Sequence, residues 1–247
     1  MRVIEAGVTV LLCLSLSRTA DAGRSRFGWL YDTDVVPERT VEVEGWVLEE
    51  DGKGKSPGED ETLVWWAPVV GVTDRVELAL PIEIAHTEQG TQSQTALERV
   101  GAEVRWRLTN PDPVERGPFA ALVRAAVKRL VTERNAVRFE ENLVLSLELG
   151  RVYLATDLGL VEKVDSKGHA DPEGRPGVGV SIRIVDELRM GAELYAEVRL
   201  GNQQGVDWVT LGPNLAWTHG RFWLSASCPI GLSNITAAPR LNWAVAF

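Results

Sequence analysis

Leu241-Asn242-Trp243-Ala244-Val245-Ala246-Phe247 closes the chain. Side chains of an extended strand point alternately to its two faces, so Leu241, Trp243, Val245 and Phe247 share one face and Asn242, Ala244 and Ala246 the other. The first face is large and apolar; the second is small and leaves room beside it. A strand of this kind needs neighbours for its backbone groups, and the rest of the chain supplies them.

The same two-residue period predicts strands at Val41 to Glu49, Thr62 to Val70, Val76 to Ala85, Ala96 to Leu108, Phe119 to Leu130, Val137 to Leu149, Val152 to Val161, Val178 to Ile184, Arg189 to Leu200, Asp207 to Thr218 and Arg221 to Ile230. With the closing strand this makes twelve. The alternation is sharpest where Val76, Leu78, Leu80, Ile82 and Ile84 oppose Glu77, Ala79, Pro81, Glu83 and Ala85. Pro81 cannot donate a ladder hydrogen bond and marks an irregularity. The Ala-rich segment from Phe119 also suits a helix. Turn chemistry separates the strands at Gly71 to Asp74, Asn110 to Pro113, Gly150-Arg151 and His219-Gly220. Longer polar connections are read at Glu50 to Glu61, His86 to Thr95 and Glu162 to Pro176.

The formal charge of −9 argues against a nucleic-acid partner. Arg2, an apolar run from Val8 to Leu16 and Ala20-Asp21-Ala22 have the parts of a secretory signal peptide, so residues 1–22 are expected to be removed on export. The run is too short for a membrane-spanning helix, and no later window reaches the required length. Without residues 1–22, Cys228 remains alone and no intramolecular disulfide forms. Residues 23–39 are aromatic but aperiodic and are expected to be a periplasmic extension or a plug. Residues 40–247 form the remaining domain. A chain of alternating strands spans a membrane only if the strands close on themselves.

The closing strand resembles the C-terminal targeting strand of Gram-negative outer-membrane β-barrels. The stretch Gly71-Val72-Thr73-Asp74-Arg75-Val76-Glu77-Leu78 is similar to a segment of uncharacterised proteobacterial barrels and outer-membrane transporters. The resemblance implies an all-β, antiparallel up-and-down barrel of about twelve strands in the outer membrane. It also implies that Leu241, Trp243, Val245 and Phe247 form an assembly signal read by the barrel-assembly machinery. Such barrels carry aromatic girdles at the membrane interfaces. Here Trp106, Phe119, Trp217, Phe222 and Phe247 are expected to face lipid at the periplasmic ends of their strands, beside outer-membrane lipid and lipopolysaccharide.

If the apolar face meets lipid, the charged face lines the lumen. The basic candidates are Arg99, Arg105, Arg107, Arg124, Lys128 and Arg138; the acidic ones are Glu42, Glu44, Glu77, Glu83, Glu193 and Glu197. Bases concentrate on strands four to six and acids on strands one and three, which predicts two sectors facing across the lumen. Opposed sectors make a field that selects small polar or charged solutes. Exchanging Arg105 and Arg124 for Glu is then expected to shift ion preference. The competing reading is a largely filled structural barrel in which the same charges pair. The solute itself is not specified.

Enzymatic chemistry finds little support. Ser93 lies in the connection begun by His86, but no third group orients a triad, and the His-x-Ser pairing of phospholipase barrels is absent. No Cys/His cluster has metal-ligand spacing. The acidic run of Glu49, Glu50, Asp51, Glu59, Asp60 and Glu61 reads as a solvated loop rather than a Ca²⁺ or Mg²⁺ site. No catalytic residue, metal or cofactor is expected.

Overall fold

Period-two patterning becomes a wall whose backbone is paired throughout. The computed structural model describes residues 25–52, 59–201 and 204–247. Its strands are β1 Val41–Glu50, β2 Glu59–Thr73, β3 in two pieces (Val76–Ala79 and Ile82–Gln89), β4 Gln92–Arg107, β5 Phe119–Leu130 and β6 Val137–Leu149. They continue with β7 Val152–Val164, β8 Ala170–Val185, β9 Leu188–Arg199, β10 Gly205–His219, β11 in two pieces (Phe222–Ser227 and Ile230–Ser233) and β12 Arg240–Ala246. Every strand pairs antiparallel with its chain neighbours, and β1 pairs with both β2 and β12, Trp46 lying opposite Trp65 and Asn242. The sheet has no free edge, so its pairing groups are satisfied without water.

Both interruptions fall at a proline. Pro81 and Pro229 have no N–H to give the ladder. The wall holds there because the prolines accept instead: Gly101 N donates to Pro81 O at 3.0 Å and Ala238 N to Pro229 O at 3.2 Å.

The two ends of the barrel differ. At one, residues 74–75, 150–151, 186–187 and 220–221 are two-residue turns, and 108–118 carry a short helix, α1 (Pro113–Arg116), capped by Asp112. Gly150 and Gly220 have φ of 65° and 56°, the left-handed conformation that tight hairpins demand. At the other end lie residues 51–52, 131–136, 165–169, 200–201 with 204, and 234–239. These are the turn end and the loop end below.

Two sequence expectations change. The connection expected at His86 to Thr95 is a hairpin of β3 and β4 turning at Gly90 and Thr91. Likewise Glu162 to Pro176 is mostly strand, with β7 reaching Val164 and β8 starting at Ala170. Both stretches lack an apolar face, so no alternation shows, yet the ladder continues through backbone bonds that polar residues make equally well. The helical alternative for Phe119–Leu130 fails because its neighbours β4 and β6 offer two full ladders. The expected signal peptide, 1–22, lies outside the described residues.

Outward positions are apolar: Leu78, Leu80, Ile82 and Ile84 on β3, Leu158 and Leu160 on β7, and Val178 and Ile182 on β8 are all exposed. An apolar surface on this scale is unsuited to water. Leu241 and Phe247 are exposed, Trp243 and Val245 half-buried, and all four lie on this outer face. Trp106, Phe119, Trp217 and Phe247 are exposed at the turn end, with the Phe222 ring 5.7 Å from that of Trp217. On the inner face, the room beside Ala244 and Ala246 is taken by Trp223.

Candidate functional site

The inner face is the part of the molecule that can do chemistry, and two things fill it: a charge network on the wall and the segment that precedes β1. Residues 25–39 run inside the barrel as a hairpin drawn together by Arg26, whose guanidinium meets Asp32 at 2.7 Å and Asp34 at 2.8 Å. Phe27, Trp29, Leu30 and Val36 are buried. The wall is shaped for them. Gly177 and Gly179 on β8 present no side chain inward; a Cβ there would fall 2.2 Å from Leu30 Cδ2 and 2.5 Å from Phe27 Cε1. Trp29 packs against Tyr195 and Trp208, ring centroids 4.8 and 5.3 Å away.

What holds the hairpin is its backbone. Glu193 on β9 accepts from Gly28 N and Trp29 N, both at 3.0 Å, and from Leu30 N at 3.4 Å. Asp157 on β7 accepts from Tyr31 N at 3.1 Å, and Glu77 on β3 accepts from Val36 N. Asn242 on β12 donates to the carbonyls of Phe27 and Gly28 at 3.3 and 2.9 Å. Bonds to an ionised acceptor are roughly twice as strong as neutral ones, so three wall carboxylates fix a segment that has no regular structure to satisfy its own N–H groups.

All twelve lumen candidates point inward. They do not form two opposed sectors. Arg105 reaches Glu44 at 2.9 Å, Glu77 at 2.7 Å and Glu103 at 2.6 Å. Arg124 binds Glu103 at 2.6 Å and Glu140 at 2.8 Å, and its guanidinium lies 4.4 Å from the Tyr31 ring centroid. Lys128 and Arg138 converge on the same Glu140 at 3.0 and 2.9 Å, and Arg99 takes Glu83 at 2.8 Å. Arg107 instead reaches into the hairpin, to Asp34 at 3.1 Å. The sector picture fails because β1 to β6 are contiguous in the closed sheet. Acids and bases that are segregated along the chain therefore become cross-strand neighbours, as at the direct pair Glu77 and Arg105. Glu197 accepts from Trp208 Nε1 at 2.8 Å and from Arg175 at 2.8 Å. Glu42 lies under Trp223, whose Nε1 donates to it at 3.4 Å.

Two polar spaces remain. At the loop end a cavity of about 300 Å³ is walled by Arg99, Lys128, Arg138 and Arg175 and floored by Trp29 and Tyr31. At the turn end a cavity of about 270 Å³ is lined by Ser25, Arg26, Arg183 and Arg189. The hairpin lies between them, with a pocket of about 80 Å³ beside it, under Trp46 and Trp65. At the turn end His219 bonds Glu187 at 2.7 Å, which holds that carboxyl below its ordinary range.

Other candidates disperse. His86 is a strand residue bonded to Thr95 Oγ1 at 2.7 Å and Glu88 at 3.1 Å, so it is not brought to Ser93. Within the acidic run, Glu49 faces out and Glu50 in, and the described residues hold no cluster of metal-ligating side chains. Sequence reasoning missed Arg175, the glycine cradle and Arg240, whose guanidinium lies 5.4 Å from the Trp29 ring centroid and 4.5 Å from that of Trp46. The alternate glycines Gly177-Val178-Gly179 were the available signal, since a strand that omits two side chains on one face leaves space for another part of the chain.

Comparison with solved structures supports this geometry. The chain is similar to the COG4313 outer membrane channel from Pseudomonas putida F1, with a TM-score of 0.60 at 9% identity, covering 88% of this chain and 99% of that one. It is also similar to the translocator domain of the autotransporter NalP from Neisseria meningitidis (TM-score 0.53, 9% identity, 85% and 88% covered). The KdgM porin gives a TM-score of 0.53 at 8% identity, with 83% and 99% covered. The fold is that of Gram-negative outer-membrane β-barrels. No protein-family model matches the sequence, and no curated protein matches it.

Proposed function

We propose that this barrel sits in a Gram-negative outer membrane and is a narrow channel for small polar or charged solutes, with its turn end toward the periplasm. The observation that carries this reading is the pair of polar cavities, about 300 and 270 Å³, at opposite ends of one charged lumen. A purely structural barrel has no need of water-accessible space at both mouths, and a filled one of this kind would pack the interior with side chains. The hairpin 25–39 occupies the route between the cavities, so conduction is expected to be small and intermittent, arising when the hairpin shifts.

Planar-bilayer recording of the purified barrel tests this directly. Discrete current steps of low conductance are expected in potassium chloride; a preparation of folded barrel that never gives steps would leave the filled structural barrel as the better reading.

The exposed aromatic at the chain end has a separate expected role. Phe247 N donates to Val41 O at 2.8 Å, at the seam between β12 and β1. Deleting Phe247 should sharply reduce folded barrel in cell membranes while purified protein still refolds in detergent. Equal amounts of heat-modifiable protein in membranes with and without Phe247 would mean that the residue is no assembly signal.

A further inference from the structure

Arg183 on β8 and Arg189 on β9 are direct cross-strand partners, and both line the turn-end cavity. Like charges placed directly opposite on adjacent strands destabilise a sheet. A guanidinium cannot shed its proton to relieve the repulsion.

Neither arginine forms an ion pair among the described residues. Arg183 Nη2 donates to Gly150 O at 2.9 Å; Arg189 donates through Nε to Ser181 Oγ at 3.1 Å and through Nη2 to Ser181 O at 3.2 Å. These acceptors are neutral. Deeper in the lumen Arg99, Arg105, Arg124, Lys128 and Arg138 each touch a carboxylate, and Arg240 is covered by the rings of Trp29 and Trp46; neither arginine of this pair can supply either kind of cover to the other. Arg26 lines the same cavity but is engaged by Asp32 and Asp34. Its guanidinium lies 4.2 Å from the Tyr153 ring centroid, and that of Arg189 lies 5.9 Å from the same ring. The acids on this rim are Glu148, Asp186 and Glu187, and Glu187 is bound to His219.

We propose that Arg183 and Arg189 form a binding site for a small oxyanion, the phosphate or carboxylate group of a solute that enters the turn-end cavity. Two guanidiniums held in place by carbonyls and a hydroxyl keep unused N–H donors, and their planar forks match the geometry of a carboxylate or phosphate. The pair belongs to the inner face, which assigns the site to a dissolved anion rather than to a lipid headgroup. Nothing in the site requires conduction, so it stands or falls separately from the channel.

The test uses inorganic phosphate and the purified barrel in a detergent without phosphate. Saturable broadening of the phosphorus resonance is expected for the native protein, with affinity reduced about tenfold or more in the Arg183→Gln, Arg189→Gln double variant, as loss of charge-assisted bonds implies. A second measurement needs no variant. Phosphate should slow phenylglyoxal modification of Arg183 and Arg189, read by peptide mass spectrometry, and leave Arg39 and Arg75 unaffected. Identical broadening in native and double-variant proteins, or identical modification rates with and without phosphate, would overturn the site. A barrel that binds phosphate but gives no current steps keeps the site and loses the channel; current steps without phosphate binding do the reverse.

Discussion

Removing residues 25–36 should raise the conductance of the barrel several-fold and make it cation-preferring. The hairpin fills the lumen between the two cavities, and its loss bares Glu193 and Asp157, which now accept from its backbone N–H groups, while Glu77 keeps Arg105. Two uncovered carboxylates in a narrow passage outweigh the one guanidinium, that of Arg107, which loses Asp34, and they concentrate cations. Glu193→Ala is the milder form of the same experiment. It strands the N–H groups of Gly28, Trp29 and Leu30, and hydrogen bonds to a charged group are worth about 1.5–3 kcal/mol each. Longer or more frequent openings are expected without a change in the fully open level of the deletion. Single-channel recording and reversal potentials in a salt gradient provide the measurement. If native, Glu193→Ala and deleted proteins conduct alike, the solute path does not pass the hairpin.

Arg124→Ala should cost the barrel about 3–5 kcal/mol, the penalty for leaving a buried charge without its partner. Arg124 is almost fully buried and binds both Glu103 and Glu140. Lys128 and Arg138 still compensate Glu140, but Glu103 keeps only Arg105. A clear drop in the urea midpoint of the detergent-refolded barrel is expected; an unchanged midpoint would mean that water already screens this network. Charge reversal is harsher. Arg105→Glu with Arg124→Glu would gather Glu44, Glu77, Glu103 and Glu140 around two further carboxylates. The structure therefore revises the sequence-based expectation for that pair: folding is lost before ion preference can shift.

The wall was legible because an apolar outer face and a charged inner one impose a strict alternation. Leu78, Leu80 and Ile82 against Glu77 and Glu83 leave a single reading. Beyond the apolar band that contrast vanishes, so the strand ends near His86 and Glu162 read as loops. The lumen candidates were legible one by one as inward residues, and their pairing was not. Whether Arg105 meets Glu77 depends on strand register, which sequence period alone does not give. The hairpin was the least legible element. Phe27, Trp29 and Tyr31 announced burial, but their sites lie on Gly179, Trp208 and Asp157, more than a hundred residues away, and an irregular segment has no period to betray its partners.

Both ends of the hairpin open on the same mouth. Ser25 borders the cavity beside Asp186 and Gly220, Glu38 N reaches Asp74 at 3.1 Å, and the far point is Trp29, whose Nε1 donates to Ala238 O at 3.0 Å. The segment is therefore not threaded through the ring of strands. It can enter or leave like a cork, without unzipping any seam, and its docking can follow closure as a separate step in folding. Any agent that withdraws it need only pull from one mouth of the barrel.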